Sequence, residues 1–493
     1  MKNITPKNIF FKSKKNHKPQ LKIYNNSKNI KFINCQKWSI TTKNNIFNYL
    51  SFLLIIFLFS CSSDKKYDKS KAIAVLNQDN RLIVDNNLDK IPINLPTPRN
   101  NLSWIGSSSL VNQNIENIAK NYSSKEIGWF FKKNDIHIKS TWYKNMFYIE
   151  DFAKSFVYSP VIINDKIFVL DSSGDLTSFL LTTKKTIWHK RVFNKLWLKN
   201  YKVAHLGACD NKLFAVAGVN QIKAINQDDG KILWEKDLSV IFNSTPICDG
   251  ESVFITSSDN KTFALSAIDG EIKWIHYGIP KSLAIFGNAQ VVISQDLAIA
   301  SYSSGEIYAI NKKSGEELWS SELNSNQNFN SNFFLSDVDA TPLVKDGVVY
   351  AIGNGGLMRA IVAKNGNEKW NLPIASVVDF WLAGDFLYVI NNDNQLFAVY
   401  KKTGTIKWQV QLEKYRNPKK ISSRHNYIGV IMAGNKLLVA RQDGEMLIIS
   451  PFDGKIEKNY SLNKRILHAP IVIGNKIYFY GMSRFKTKLI ELE

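Results

Sequence analysis

Cysteine is scarce in this chain: four in 493 residues, no two adjacent, and only Cys209 and Cys248 beyond position 61. That argues against a disulfide-stapled scaffold and leaves neither a vicinal cysteine pair nor a Cys-x-x-Cys metal clip. Histidine is as sparse, and His17, His137, His189, His205, His276, His425 and His468 show no ligand spacing. No Ser-His-Asp constellation or glycine-rich phosphate loop stands out, so neither cofactor nor metal is expected. The apolar run at residues 50–59 is too short to span a bilayer comfortably. Acidic residues are missing from positions 1–60, which hold 11 lysines. Half of the net charge of +22 therefore lies there, and the remainder has 53 basic against 42 acidic residues. The charge belongs mainly to a leader, and no nucleic-acid partner is expected.

What is present at the N-terminus reads as an export signal. A Lys- and Asn-rich stretch to Lys43 is followed by the apolar run and then Ser60-Cys61. Leu58-Phe59-Ser60-Cys61 resembles the bacterial lipobox, which implies lipidation at Cys61; Ser62 after it implies delivery to the outer membrane, facing the periplasm. The expected domains are a signal peptide over 1–60, a polar tether over 61–101 that closes with Pro92 to Pro98, and a folded region over 102–493.

Trp188, Trp234, Trp274, Trp319, Trp370 and Trp408 recur at gaps of 46, 40, 45, 51 and 38 residues, each four residues after a turn position. Five of those positions are glycine: Gly230, Gly270, Gly315, Gly366 and Gly404. A fixed offset inside a period of about 40 residues marks a repeat protein. One unit, from Thr245 to Tyr277, reads as four short strands rich in β-branched and aromatic residues, joined by tight turns. Eight such starts occur, at Ser159, Gly207, Thr245, Gln290, Thr341, Trp381, Gly429 and Ala469, and the last has three strands only. The segment Glu126 to Phe131, with Trp129, has the outer-strand pattern and is expected to supply the fourth. The fold class is all-β: an eight-bladed β-propeller of four-stranded antiparallel blades, closed by its N- and C-terminal strands. The tryptophans are expected to pack between blades, with each indole N–H on a backbone carbonyl. Lys458 replaces tryptophan in the seventh repeat, where looser packing is expected. Cys209 and Cys248 fall at similar points of consecutive repeats, too far apart on this reading to bond, and two buried thiols are expected.

Blades ending in Asp-Gly-x-x-x-Trp resemble the repeats of quinoprotein dehydrogenases and of the outer-membrane assembly factor BamB family. The repeat covers residues 126–493 and does not separate the two, so loops must decide. Links between blades are long at Tyr277 to Ala289, Ser321 to Ala340 and Gln411 to Tyr427. Ser282-Leu283-Ala284-Ile285-Phe286-Gly287 resembles the BamB family's Ser-Leu-x-Leu-Arg-Gly segment, and Ser336-Asp337-Val338-Asp339-Ala340-Thr341-Pro342 resembles its Ser-Asp-Val-Asp-x-Thr-Pro segment. The resemblance implies contact with the periplasmic domains of BamA through Leu283, Ile285, Asp337 and Asp339. Phe286 stands where the family has arginine and offers apolar area instead. Capping of the strand start is the other role open to the two aspartates.

The resemblance further implies a non-enzymatic lipoprotein scaffold of the β-barrel assembly machinery, held at the outer membrane by its N-terminal lipid. Its partners would include other assembly subunits and unfolded outer-membrane proteins. Two alternatives stay open: a quinoprotein oxidoreductase dependent on pyrroloquinoline quinone, and a periplasmic propeller binding another envelope partner. The basic stretch Lys414, Arg416, Lys419, Lys420 and Arg424 would suit an anionic ligand, and reads more simply as a solvated loop.

Overall fold

In a computed structural model of the chain, the described residues are 82–105, 115–121, 134–136, 159–170, 174–194, 204–217, 220–280, 289–324, 337–417, 419, 423–462, 464–466, 468–483 and 486–492. They build eight antiparallel sheets, in seven of which strand order follows chain order. Blades 1 to 7 span residues 161–191, 204–237, 247–277, 292–322, 343–372, 381–411 and 427–461. Blade 8 combines Ile471–Ile473, Lys476–Ser483 and Lys486–Leu492 with Asn134–Ile136, which pairs antiparallel with Leu489 to Glu491. The propeller is thus closed by N- and C-terminal strands. The closing strand lies downstream of Glu126 to Phe131, and those residues, Trp129 among them, fall outside the described set.

One row of side chains explains why the sheets stack. In blade 3, Phe254, Ala264 and Trp274 sit side by side on strands two, three and four. The same row reads Phe214–Ala224–Trp234, Tyr350–Ala360–Trp370 and Tyr388–Ala398–Trp408 in blades 2, 5 and 6. The small middle residue leaves room for the indole to lie over the sheet. Each indole N–H then donates to a carbonyl in the next blade's third-to-fourth-strand hairpin: Trp188 to Gln227 at 2.9 Å, Trp274 to Lys312 at 3.0 Å, Trp319 to Ala363 at 2.8 Å and Trp408 to Pro451 at 3.0 Å. The hairpin's glycine rests on the ring. A Cβ on Gly366 would lie 2.8 Å from Trp319 Cβ, and its φ of +76° also favours glycine.

Where tryptophan is missing, its row changes as a unit. Blade 7 carries Leu438–Ile448–Lys458, so Ile448 takes volume that the indole fills elsewhere. In blade 8 the backbone register sets Glu491 between Tyr478 and Asn134. Glu491 is buried, and it is approached by Lys476 at 3.0 Å and by Lys184 of blade 1 at 3.5 Å. Lys184 occupies the hairpin position that is glycine in blades 2 to 7. The last blade therefore meets the first through a buried carboxylate and two ammonium groups.

Two sequence expectations are corrected. Cys209 and Cys248 form a disulfide, with Cα atoms 6.0 Å apart. The separation argument holds for outer strands, but these cysteines end the first strands of blades 2 and 3, which converge on the ring axis. Gly207 is needed beside Pro246 because a side chain there would strike the Pro246 carbonyl. The tether, expected to reach Asn101, does not extend over the described residues from Leu82 on. From there the chain packs on the face that carries the turns between strands one and two. Leu88 and Ile93 are buried, Asp85 N–H donates to Ile406 O at 2.9 Å, and Lys407 Nζ donates to Ile91 O at 2.8 Å. Gly474 N–H reaches Asn101 O at 2.8 Å, and Ser103–Trp104 adds a strand to blade 1. Returning, Glu116 binds Lys345 at 2.7 Å, while Ile118 is fully buried against blade 7. Matching of backbone donors to the ring, together with the alternation Ile91, Ile93, Leu95, holds this strap in place.

Two outcomes test this packing. Gly366→Ala should destabilise the protein by about 1–2 kcal/mol more, in urea unfolding, than Gly347→Ala, because both have positive φ but only Gly366 touches an indole. Cys209→Ser should lower stability by about 2–4 kcal/mol under non-reducing conditions and leave it unchanged under strong reductant, as expected for a loop closed over 39 residues.

Candidate partner-binding site

In every blade the turn between strands two and three emerges on the same face as the link to the next blade. On this link face, the chain leaving blade 3 at Tyr277 and the chain entering blade 5 at Leu343 are secured by one residue, Tyr302. It follows the strand Leu297–Ser301. The equivalent position is Ala217, Ser257, Gly353 or Asn391 in other blades, so this ring is an exception in the repeat. Its hydroxyl shares hydrogen bonds with Thr262 Oγ1 at 2.7 Å and His276 Nδ1 at 2.8 Å. The ring is stacked on His276 and so close to Gly278 that any side chain there would collide with it. Burial raises the Tyr302 phenol far above its ordinary range, so the group stays neutral.

Both links are tied at this point. The Tyr302 carbonyl accepts the Val338 N–H at 3.3 Å, at the end of the link into blade 5. Asn260 donates to Ile279 O at 2.6 Å, at the start of the link out of blade 3, and its Oδ1 accepts from the Ser303 hydroxyl at 2.8 Å. Tyr277 and Ile279 expose apolar surface beside it, being 64% and 55% accessible. Leu283, Ile285 and Phe286 lie outside the described residues.

Of the two aspartates, Asp337 is buried and its carbonyl accepts the Asn354 N–H at 3.0 Å. Its side chain sets the local field more than it offers surface. Asp339 is only partly buried, and its carboxyl is pushed up to about 7 by burial first, then by the charges of Asp337 and Asp379. Asp379 precedes the first strand of blade 6 and accepts the Thr341 N–H at 2.7 Å. Sequence reasoning named Asp337 and Asp339 and missed Asp379 and Tyr302. Asp379 arrives from the next repeat, with no local pattern to flag it. Tyr302 could have been found as the one bulky aromatic at a position that is otherwise small or polar. Among the described residues, no group of three or more His, Cys, Asp or Glu side chains could hold a metal ion, and no helix is long and apolar enough to cross a membrane.

Residues 194–410 match the family model described as outer membrane protein assembly factor BamB. The outer membrane protein assembly factor BamB of Yersinia pestis is 24% identical over 330 residues, covering 66% of this chain and 82% of that protein. The crystal structure of BamB from Moraxella catarrhalis superposes with a TM-score of 0.58 at 15% identity, over 68% of this chain and 96% of that one. The chain is a BamB-like β-propeller. A europium-containing methanol dehydrogenase shares the ring at the same TM-score of 0.58 and 11% identity, over 78% of this chain and 90% of that one. Fold alone therefore does not separate scaffold from enzyme, and the BamB-like reading of the link face has to stand on its residues.

Because Asp339 is protonated more easily in the fold than in the open chain, it contributes stability that is fully present below its ordinary value of 3.8. That contribution declines as pH rises toward about 7 and is gone above it. Asp339→Asn should flatten this part of the pH–stability curve and raise stability at pH 8 by about 1–4 kcal/mol in urea titrations.

Proposed function

We propose that this BamB-like propeller is a non-enzymatic scaffold of the outer-membrane β-barrel assembly machinery. On this reading it is exported by the leader, lipidated at Cys61, and held on the periplasmic side of the outer membrane. It docks its link face on the periplasmic domains of BamA, beside other assembly subunits, and aligns unfolded outer-membrane proteins for insertion. No bond chemistry is required of it.

The observation that carries the proposal is the convergence at Tyr302. The two links that bear the BamB-like segments leave the ring held at one buried residue, through its ring beside Gly278 and its main-chain carbonyl at Val338, with exposed Tyr277 and Ile279 on one side and the crowded carboxylates Asp337, Asp339 and Asp379 on the other. Apolar area next to like charges held close together suits a partner that brings both an apolar ridge and a cation. A partner cation would offset the charges of Asp337 and Asp379, which add to burial in raising Asp339. The disulfide between blades 2 and 3 agrees with an oxidising compartment such as the periplasm.

Purified BamA periplasmic domains provide the test. Leu283→Glu and Asp339→Arg should each weaken binding by about 10- to 100-fold, the range expected for central contact residues. Asp339→Arg places a cation between two carboxylates, so folding should survive, and circular dichroism checks this. Parent-like binding by both folded variants would reject the surface. A saturable calorimetric signal with pyrroloquinoline quinone and calcium would favour the oxidoreductase instead.

A further inference from the structure

The link from blade 6 to blade 7, whose cations read in the sequence as a solvated loop, contains a built hairpin. Tyr415 and Arg424 form an antiparallel bridge. Arg416 N–H donates to Ser423 O at 2.9 Å, and Asn417 N–H donates to Ser423 Oγ at 3.0 Å. The Ser423 hydroxyl donates back to Asn417 O at 2.9 Å, and His425 N–H donates to Lys414 O at 3.0 Å.

Fixed carboxylates hold the base of this hairpin. Asp393, in the turn between strands two and three of blade 6, takes Lys414 Nζ at 3.0 Å and Arg424 Nη2 at 3.6 Å. Arg441, nearly buried, donates to Glu413 at 2.6 Å and to Asp443 at 2.7 Å. The His425 ring lies between the same two acids, 3.5 Å from Glu413 and 3.2 Å from Asp443. The cations at the base are therefore matched within the protein. Arg416 and Lys419, nearer the tip, are exposed, and neither has a carboxylate partner among the described residues.

A loop that only bridged two blades would gain nothing from holding residues 414–417 against 423–425 so as to present two cations without a carboxylate partner among the described residues, since that ordering opposes folding. The same face carries Asp339 and Asp379 where blades 5 and 6 begin. The link face is thus dipolar, with crowded carboxylates near the axis and a basic arm one blade further round. A protein that satisfies the first feature with a cation is best oriented if it also presents acid to the second.

We infer that the hairpin formed by residues 414–417 and 423–425 is a second docking element for the protein that binds the Asp339 surface, and that it receives an acidic segment of that protein on Arg416 and Lys419. This rests on the scaffold reading above. The full chain carrying Arg416→Glu and Lys419→Glu should be titrated against BamA periplasmic domains in parallel with Asp339→Arg and the parent. At about 50 mM salt the double reversal should bind about tenfold more weakly, chiefly through slower association, and the difference should shrink below about twofold at 500 mM. If the double reversal binds like the parent while Asp339→Arg does not, the hairpin inference is overturned and the scaffold reading stands. If all three bind alike, the scaffold reading falls and takes the inference with it. Reduced binding to vesicles of anionic phospholipid, with affinity for the BamA domains unchanged, would give the hairpin to a lipid surface and likewise overturn the inference.

Discussion

Everything in this molecule depends on an indole lying flat over one small sheet while the hairpin of the next sheet closes on it. The contact has three parts that need one another. An alanine or serine beneath the ring leaves it space, a carbonyl of the next blade takes its N–H, and a glycine without a Cβ rests on its face. A four-stranded sheet of this length cannot stand alone in water, because both of its faces are apolar. Repeating the dock turns marginal sheets into a ring whose geometry is set blade by blade.

The departures from the rule are as informative as the rule. Ile448 in blade 7 and Glu491 in blade 8 show that the middle residue changes where the paired fourth-strand residue is not tryptophan, since a small residue without an indole above it would leave a void. At the seam between the last blade and the first, the buried Glu491 with Lys476 and Lys184 stands where the aromatic dock stands elsewhere. The seam is also covered by residues 82–105 and 115–121 of the strap, which lie on the opposite face from the long links. Its stabilisation of the closure leaves the link face free for other roles.

A rigid ring lets loops act as fixed surfaces. Tyr302 converts two links, distant along the chain, into neighbours by giving both the same buried anchor, and Asp393 does the same for the base of the basic hairpin. Tyr302 is an aromatic ring where other blades carry a small or polar residue, whereas the acid at Asp393 recurs at the equivalent turn positions Asp259 and Asp443. The surfaces of the link face are thus made by individual side chains set on a regular frame.

The tryptophan spacing, the turn glycines and the eight strand sets were legible because each arises from contacts within one repeat or with its immediate successor. The face that carries the long links followed as well, from the parity of a four-stranded meander. Three features arise instead from where strands meet in space: the Cys209–Cys248 bond at the axis, the pairing of Asn134–Ile136 with the final strand, and the strap that looked like a tether. The site divided along the same line. Asp337 and Asp339 could be named from their segment, but the burial of one, the raised carboxyl of the other and the part played by Asp379 come from a neighbouring blade. Sequence periodicity encodes short-range packing; convergence at the axis and closure of the ring are properties of the assembled circle, to which no local pattern refers.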